Sequence, residues 1–206
     1  MQELNAIGVG PVLDASTMRR LLDGVSDRRG KIARMLASGE LISLRRGLYA
    51  SRRDLDPRCL AGPIYGPSYL SYETALEWHG LIPEAVREIV SATLRRGAAF
   101  ENEFGRFRFF RIPEAVYPAG IQRVAESELP FLVASPTKAL CDRIAREPGF
   151  RSVADVARWL EEMRIDPNIK LNRDELRFCA ARYGRPAVRC LLRFAERKGT
   201  FDEPGT

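Results

Sequence analysis

The sequence predicts an α+β fold: an N-terminal winged helix-turn-helix, then a mixed α/β domain with a C-terminal helical region. Three observations carry this expectation. Between residues 14 and 50, two short amphipathic helix patterns joined by a glycine turn run directly into a basic hairpin pattern. Residues 59–150 mix strand and helix patterns, and residues 152–198 are helical. The expected units are 1–56, 57–200 and a frayed tail over 201–206, with the first boundary in the polar stretch RRDLDPR (52–58).

The elements follow in order. Asp14 is placed to cap a helix through about Leu22, with Ala15, Met18, Leu21 and Leu22 at helical spacing, and Gly24 supplies the left-handed turn. Ser26 is expected to cap a second helix closed by Gly39, with Ile32, Met35 and Leu36 inward and Gly30, Arg34 and Ala37 opposite them. The stretch GELISLRRGLYAS (39–51) then alternates and turns at Gly47, giving a hairpin with Arg45 and Arg46 at its tip. The segment before Asp14 is short, so an abbreviated first helix is expected there.

Beyond the linker, YETALEWHG is a helix ending at Gly80, and Ile89–Thr93 is a strand by its β-branched content. Phe100–Phe104 and Phe107–Ile112 form a second hairpin around Gly105. Leu129–Ala134 is a strand, and Ser135-Pro136 opens the helix TKALCDRIA. Helices capped by Ser152 and Asn172, and one starting near Pro186, complete the chain. The FRFF run could stack bases as an aromatic sheet face does. It lacks the glycine-rich signature of such modules, and core packing is the expected use.

Composition narrows the chemistry. The chain has 206 residues with 45% hydrophobic and 29% charged, which is globular rather than disordered. It carries 33 Lys+Arg against 27 Asp+Glu, and the excess is uneven: net +4 over 1–58, −1 over 59–150 and +3 over 151–206. Basic ends with a neutral middle favour an anionic partner. No apolar run is long enough to span a bilayer and no secretory signal is visible, so a cytoplasmic protein with no membrane partner is expected. Cys59, Cys141, Cys179 and Cys190 sit among apolar neighbours without a CxxC pair, and His79 is the single histidine. These read as buried reduced thiols; structural zinc is excluded, and no metal or cofactor is expected.

The helix-turn-helix pattern carries a specific chemistry. A major groove about 12 Å wide admits one helix whose N-terminal residues reach base edges. Arg28 and Arg29 lie in the first turn, Lys31 and Arg34 on the exposed side, and Gly30 would let the backbone approach closely. Arg45 and Arg46 on the wing would grip phosphate or a narrow minor groove. These six residues are the expected DNA contacts, although winged helices also serve as protein-interaction modules. A second basic surface is offered by Arg185, Arg189, Arg193 and Arg197, a strict four-residue step about 18 Å long on one helix. It is either a solvated arginine face or one turned towards an anionic partner.

No catalytic residues are expected. GxSxG, P-loop and GxGxxG motifs are missing, His79 reads as a capping or packing residue, and only Lys138, Asp142 and Glu147 could be nominated as a nuclease-like cluster.

The order of these motifs resembles the AbiEi-type antitoxins of type IV toxin–antitoxin systems. GELISLRRGLYA (39–50), PSYLSYETALEWHGLIPE (67–84) and LVASPTKALCDRI (132–144) carry the resemblance, which covers most of residues 14–146. It implies a winged helix that binds operator DNA and represses the operon, with Arg45, Arg46 and Gly47 carried over directly. It also implies a domain that counters a cognate nucleotidyltransferase toxin, without requiring a stable complex. Where the family commonly has Pro-Glu-Lys-Ala-Leu, this chain has Pro136-Thr137-Lys138-Ala139-Leu140, so a role resting on that glutamate has no counterpart here. The expectation is a non-enzymatic, DNA-binding antitoxin. The alternatives are a stand-alone winged-helix regulator with a sensing domain, or a nucleic-acid-processing enzyme.

Overall fold

The computed structural model describes residues 10–202, which form an α+β fold around two sheets. The chain opens with strand β1 (Val12–Asp14), helix α1 (Ala15–Leu21) and helix α2 (Arg28–Ala37). It continues through strands β2 (Ile42–Arg45) and β3 (Leu48–Ala50). The strands form an antiparallel sheet of order β1-β3-β2. Asp14 ends the strand and caps α1, its carboxylate accepting from the Thr17 amide at 2.7 Å. Residues 1–9, where the rest of the expected first helix would fall, lie outside the described residues. Val12–Asp14 itself is strand.

The second helix corrects one expectation. Asp27, not Ser26, caps α2, accepting from the Gly30 amide at 2.8 Å. A Cβ on Gly30 would stand 1.9 Å from the Asp27 carboxylate, so this glycine makes room for the cap inside the protein. Gly39 then closes the helix at φ +75°.

Helix α3 (Pro57–Tyr65) begins at the expected linker, with Asp56 as its cap. A six-stranded mixed sheet follows, from β4 (Ser68–Leu70), β5 (Glu88–Thr93), β6 (Ala98–Asn102), β7 (Gly105–Arg111), β8 (Ile121–Val124) and β9 (Phe131–Ala134). Its order is β6-β7-β5-β4-β9-β8. The β5/β7 and β4/β9 pairs are parallel and the others antiparallel. Phe107 and Phe109 alternate with exposed Arg106 and Arg108 along β7, and Tyr65, Phe100 and Phe109 pack as an aromatic cluster. The FRFF run therefore packs largely inward.

Helices α4 (Tyr72–Trp78) and α5 (Pro136–Ile144) pack together against this sheet. Over them lie α6 (Val153–Glu162), α7 (Arg173–Arg182) and α8 (Pro186–Lys198). Ser135, Ser152 and Asn172 cap α5, α6 and α7. The tail expected to fray from residue 201 is held at its start. Phe201 is buried and bridges Leu171, whose carbonyl accepts from the Asp202 amide at 3.0 Å. Residues 203–206 of that expectation lie outside the described residues.

Two apolar clusters result. Leu13, Met18, Leu22, Met35 and Leu41 form a small one between β1 and the two N-terminal helices. Ile42, Leu44, Leu48 and Ala50, from the opposite face of the same three strands, belong to the main core with Leu60, Ile64, Phe107 and Phe109. The Asn102 side-chain amide also donates to the Leu44 carbonyl at 3.0 Å. All four cysteines are buried and free. No helix among the described residues is long and apolar enough to cross a membrane.

Candidate nucleic-acid interface

Helix α2 presents Arg28, Arg29, Lys31 and Arg34 to solvent while Met35 is buried and Ile32 and Leu36 are half-buried. Its first turn holds two arginines and no acid. Cations at the positive end of a helix dipole are disfavoured by about 0.3–1 kcal/mol each, whereas an anion there is favoured. Arg28 is partly committed within the protein. Its Nε donates to the Leu22 carbonyl at 3.1 Å, and its guanidinium stands 3.5 Å from Asp23. Among the described residues, Arg29, Lys31 and Arg34 have no carboxylate within ion-pair distance.

The hairpin brings Arg45 and Arg46 to an exposed tip, where Gly47 at φ +76° makes the turn. Arg45 donates only weakly, at 3.4 Å, to the Arg46 carbonyl. The next arginines are used differently. Arg52 pairs with Glu128 and Arg53 with Glu103, tying the linker to the larger sheet. Arg19 and Arg20, exposed in the last turn of α1, add to the cationic surface of this end and were not singled out from the sequence. Their sequence signal is adjacency in the last turn before Gly24, on the side of the helix away from Met18.

At the other end, Arg185, Arg189, Arg193 and Arg197 are all exposed along α8, and none has a carboxylate partner among the described residues. The preceding step is spent internally: Arg173 stacks on Phe201 at 4.2 Å and Arg177 reaches Glu196 at 4.0 Å.

The nominated cluster of Lys138, Asp142 and Glu147 is a structural assembly. Lys138 and Asp142 are fully buried and paired at 2.9 Å. The carboxylate also accepts from the Tyr69, Ser71 and Tyr183 hydroxyls at 2.7–2.8 Å, and Lys138 donates onward to the Val116 carbonyl. Burial first, and then the Asp142 charge, push the Tyr69 and Tyr183 phenols well above their ordinary range. Glu147 pairs with Arg143, apart from this network. Both oxygens of Asp142 are thus engaged within the protein, each by two donors.

His79 ends α4, and its Nε2 lies 2.7 Å from the Ala134 carbonyl, a packing contact to the sheet. Thr137, the position that departs from the family pattern, accepts from the Asn172 amide at 2.8 Å and so joins the start of α7 to α5. No family model and no curated protein matches the chain.

Proposed function

We propose that this protein is a cytoplasmic, DNA-binding antitoxin of the AbiEi type, which represses its own operon and counters a nucleotidyltransferase toxin. In this reading residues 12–50 are a winged helix-turn-helix, α2 enters the major groove and the Arg45-Arg46 tip holds the adjoining backbone. The observation that carries it is the exposure of three cations on α2: Lys31 and Arg34, three positions apart on one side, and Arg29 in the first turn. These cations have no partner among the described residues, and a hairpin with an arginine tip follows directly. One feature lends support: β1 pairs with the returning arm of that hairpin, framing the two helices as a wing does.

Fluorescence anisotropy with the DNA upstream of the protein's own gene tests it. Arg29→Ala and Arg34→Ala are each expected to weaken binding by about 1–3 kcal/mol where they reach a base. Arg28→Ala should cost less, because that guanidinium is already engaged by Leu22 and Asp23. Removing Arg45 or Arg46 should weaken all sequences alike and lower the salt slope by about one. Wild-type affinity in the combined Arg29, Lys31 and Arg34 alanine variant would discard the assignment. The toxin half is tested by co-expression with a neighbouring nucleotidyltransferase, using Arg189, Arg193 and Arg197 glutamate variants. Unchanged growth rescue together with unchanged DNA affinity would make the α8 ridge a solvated surface.

A further inference from the structure

A cavity of about 540 Å³ lies between the end of β7, the loop following α5 and the start of α8. Its walls carry Arg111, Arg146, Arg151 and Arg185, all exposed, and none has a carboxylate within ion-pair distance among the described residues. The two acids that reach it are already neutralised: Asp142 by Lys138 and Glu147 by Arg143. Four uncompensated arginines lining one concave space favour a multiply charged anion that can take more than one of them.

Three local features point the same way. Arg146 lies over the Phe110 ring at 3.5 Å, so one cation is held in place before any ligand arrives. The N-cap of α8, Arg185, makes no side-chain capping bond, so the amides that follow Pro186 have no side-chain acceptor beside a cavity lined by Pro186 and Ala187. Tyr72 lines the same cavity, is 1% exposed and adopts φ +54°, a strained backbone for an aromatic residue. Tyr69 and Tyr183 give their hydroxyls to Asp142, but among the described residues Tyr72 has no partner for its own. The Tyr72 side chain borders the cavity, and its hydroxyl is free to donate to a ligand there.

We propose that this cavity binds a small molecule bearing a di- or triphosphate, gripped by Arg111, Arg146, Arg151 and Arg185 with the Tyr72 hydroxyl donating to it. The volume suits a ligand the size of a nucleotide and is far too narrow for a duplex. The inference stands apart from the operator-binding reading, which uses the opposite end of the chain.

Isothermal titration of the full chain with ATP, ADP, pyrophosphate and adenosine tests it. ATP and pyrophosphate are expected to bind at micromolar to sub-millimolar concentration, adenosine not at all, and added salt should weaken both. Stronger binding of ATP than of pyrophosphate assigns the nucleoside to the site; equal binding assigns a bare polyphosphate. Arg146→Ala and Arg185→Ala should each weaken binding about tenfold, since each removes a charge-assisted contact. Tyr72→Phe should weaken it severalfold, whereas Arg123→Ala, on exposed β8, should leave it unchanged. Thermal melts identify variants that still fold. Absence of binding by either ATP or pyrophosphate up to about 5 mM, the weakest affinity worth assigning, would overturn the proposal. So would wild-type affinity in a folded Arg146→Ala/Arg185→Ala double variant.

Discussion

Asp142 is the acceptor for four donors from three parts of the chain: Lys138, Tyr69 with Ser71, and Tyr183. Each donor would be costly to bury without this carboxylate. Asp142→Ala should therefore destabilise the fold by about 3–5 kcal/mol, because it strands a buried ammonium and three hydroxyls together. Urea unfolding measures this, and a loss below about 1 kcal/mol would mean that water replaces the carboxylate. The sequence shows Lys138 and Asp142 one helical turn apart, which marks them as a pair. It does not show the three hydroxyls, which stand 41, 71 and 73 positions away and meet the carboxylate only once the sheet has formed. The cavity arginines likewise come from separate segments, and only Arg185 falls in a periodic run of the sequence.

At the scale of elements, capping residues were the most readable feature. Asp14, Ser135, Ser152 and Asn172 each accept an amide from their own helix, as their side chains and positions predict. Helix α3 was unreadable for the opposite reason. Gly62 and Pro63 lower its intrinsic propensity, and it holds its shape because Cys59, Leu60, Ala61 and Ile64 are buried. Strands β1 and β8, of three and four residues, are too short to show a period. The Asp14 cap also makes a prediction about acid. The Thr17 amide, followed by the Ser16 hydroxyl, lowers this carboxyl from 3.8 to about 2. A depressed carboxyl contributes stability above its unfolded value and loses it as pH falls through the folded one. The difference in melting temperature between wild type and Asp14→Ala should thus be full above about pH 5, shrink to a small fraction near pH 2 and vanish only below both values. Thermal melts from pH 2 to 6 follow it, and a gap undiminished at pH 2 would show that the cap acts through the neutral acid.

The whole molecule constrains the N-terminal unit more than its sequence suggests. The linker reads as a boundary because it is polar and precedes Pro57, yet Ile42, Leu44, Leu48 and Ala50 pack with residues beyond it. Alternation along the hairpin shows that one side is apolar but not which partner covers it. Here the helices take the face with Leu13 and Leu41, and the larger sheet takes the other. Cutting the chain at residue 56 would expose three large aliphatic side chains, each contributing about 1.5–3 kcal/mol when buried. That loss is comparable to the whole stability of a small domain, about 5–15 kcal/mol. The isolated fragment 1–56 should consequently be unfolded or self-associated, while the intact chain should lose its far-UV and aromatic signals in a single urea transition. Circular dichroism and sedimentation of the fragment decide between the two pictures. A folded monomeric fragment with full operator affinity would show that the shared core is dispensable. Failure to fold would mean that α2 is held in place by the core that the hairpin shares with the larger sheet.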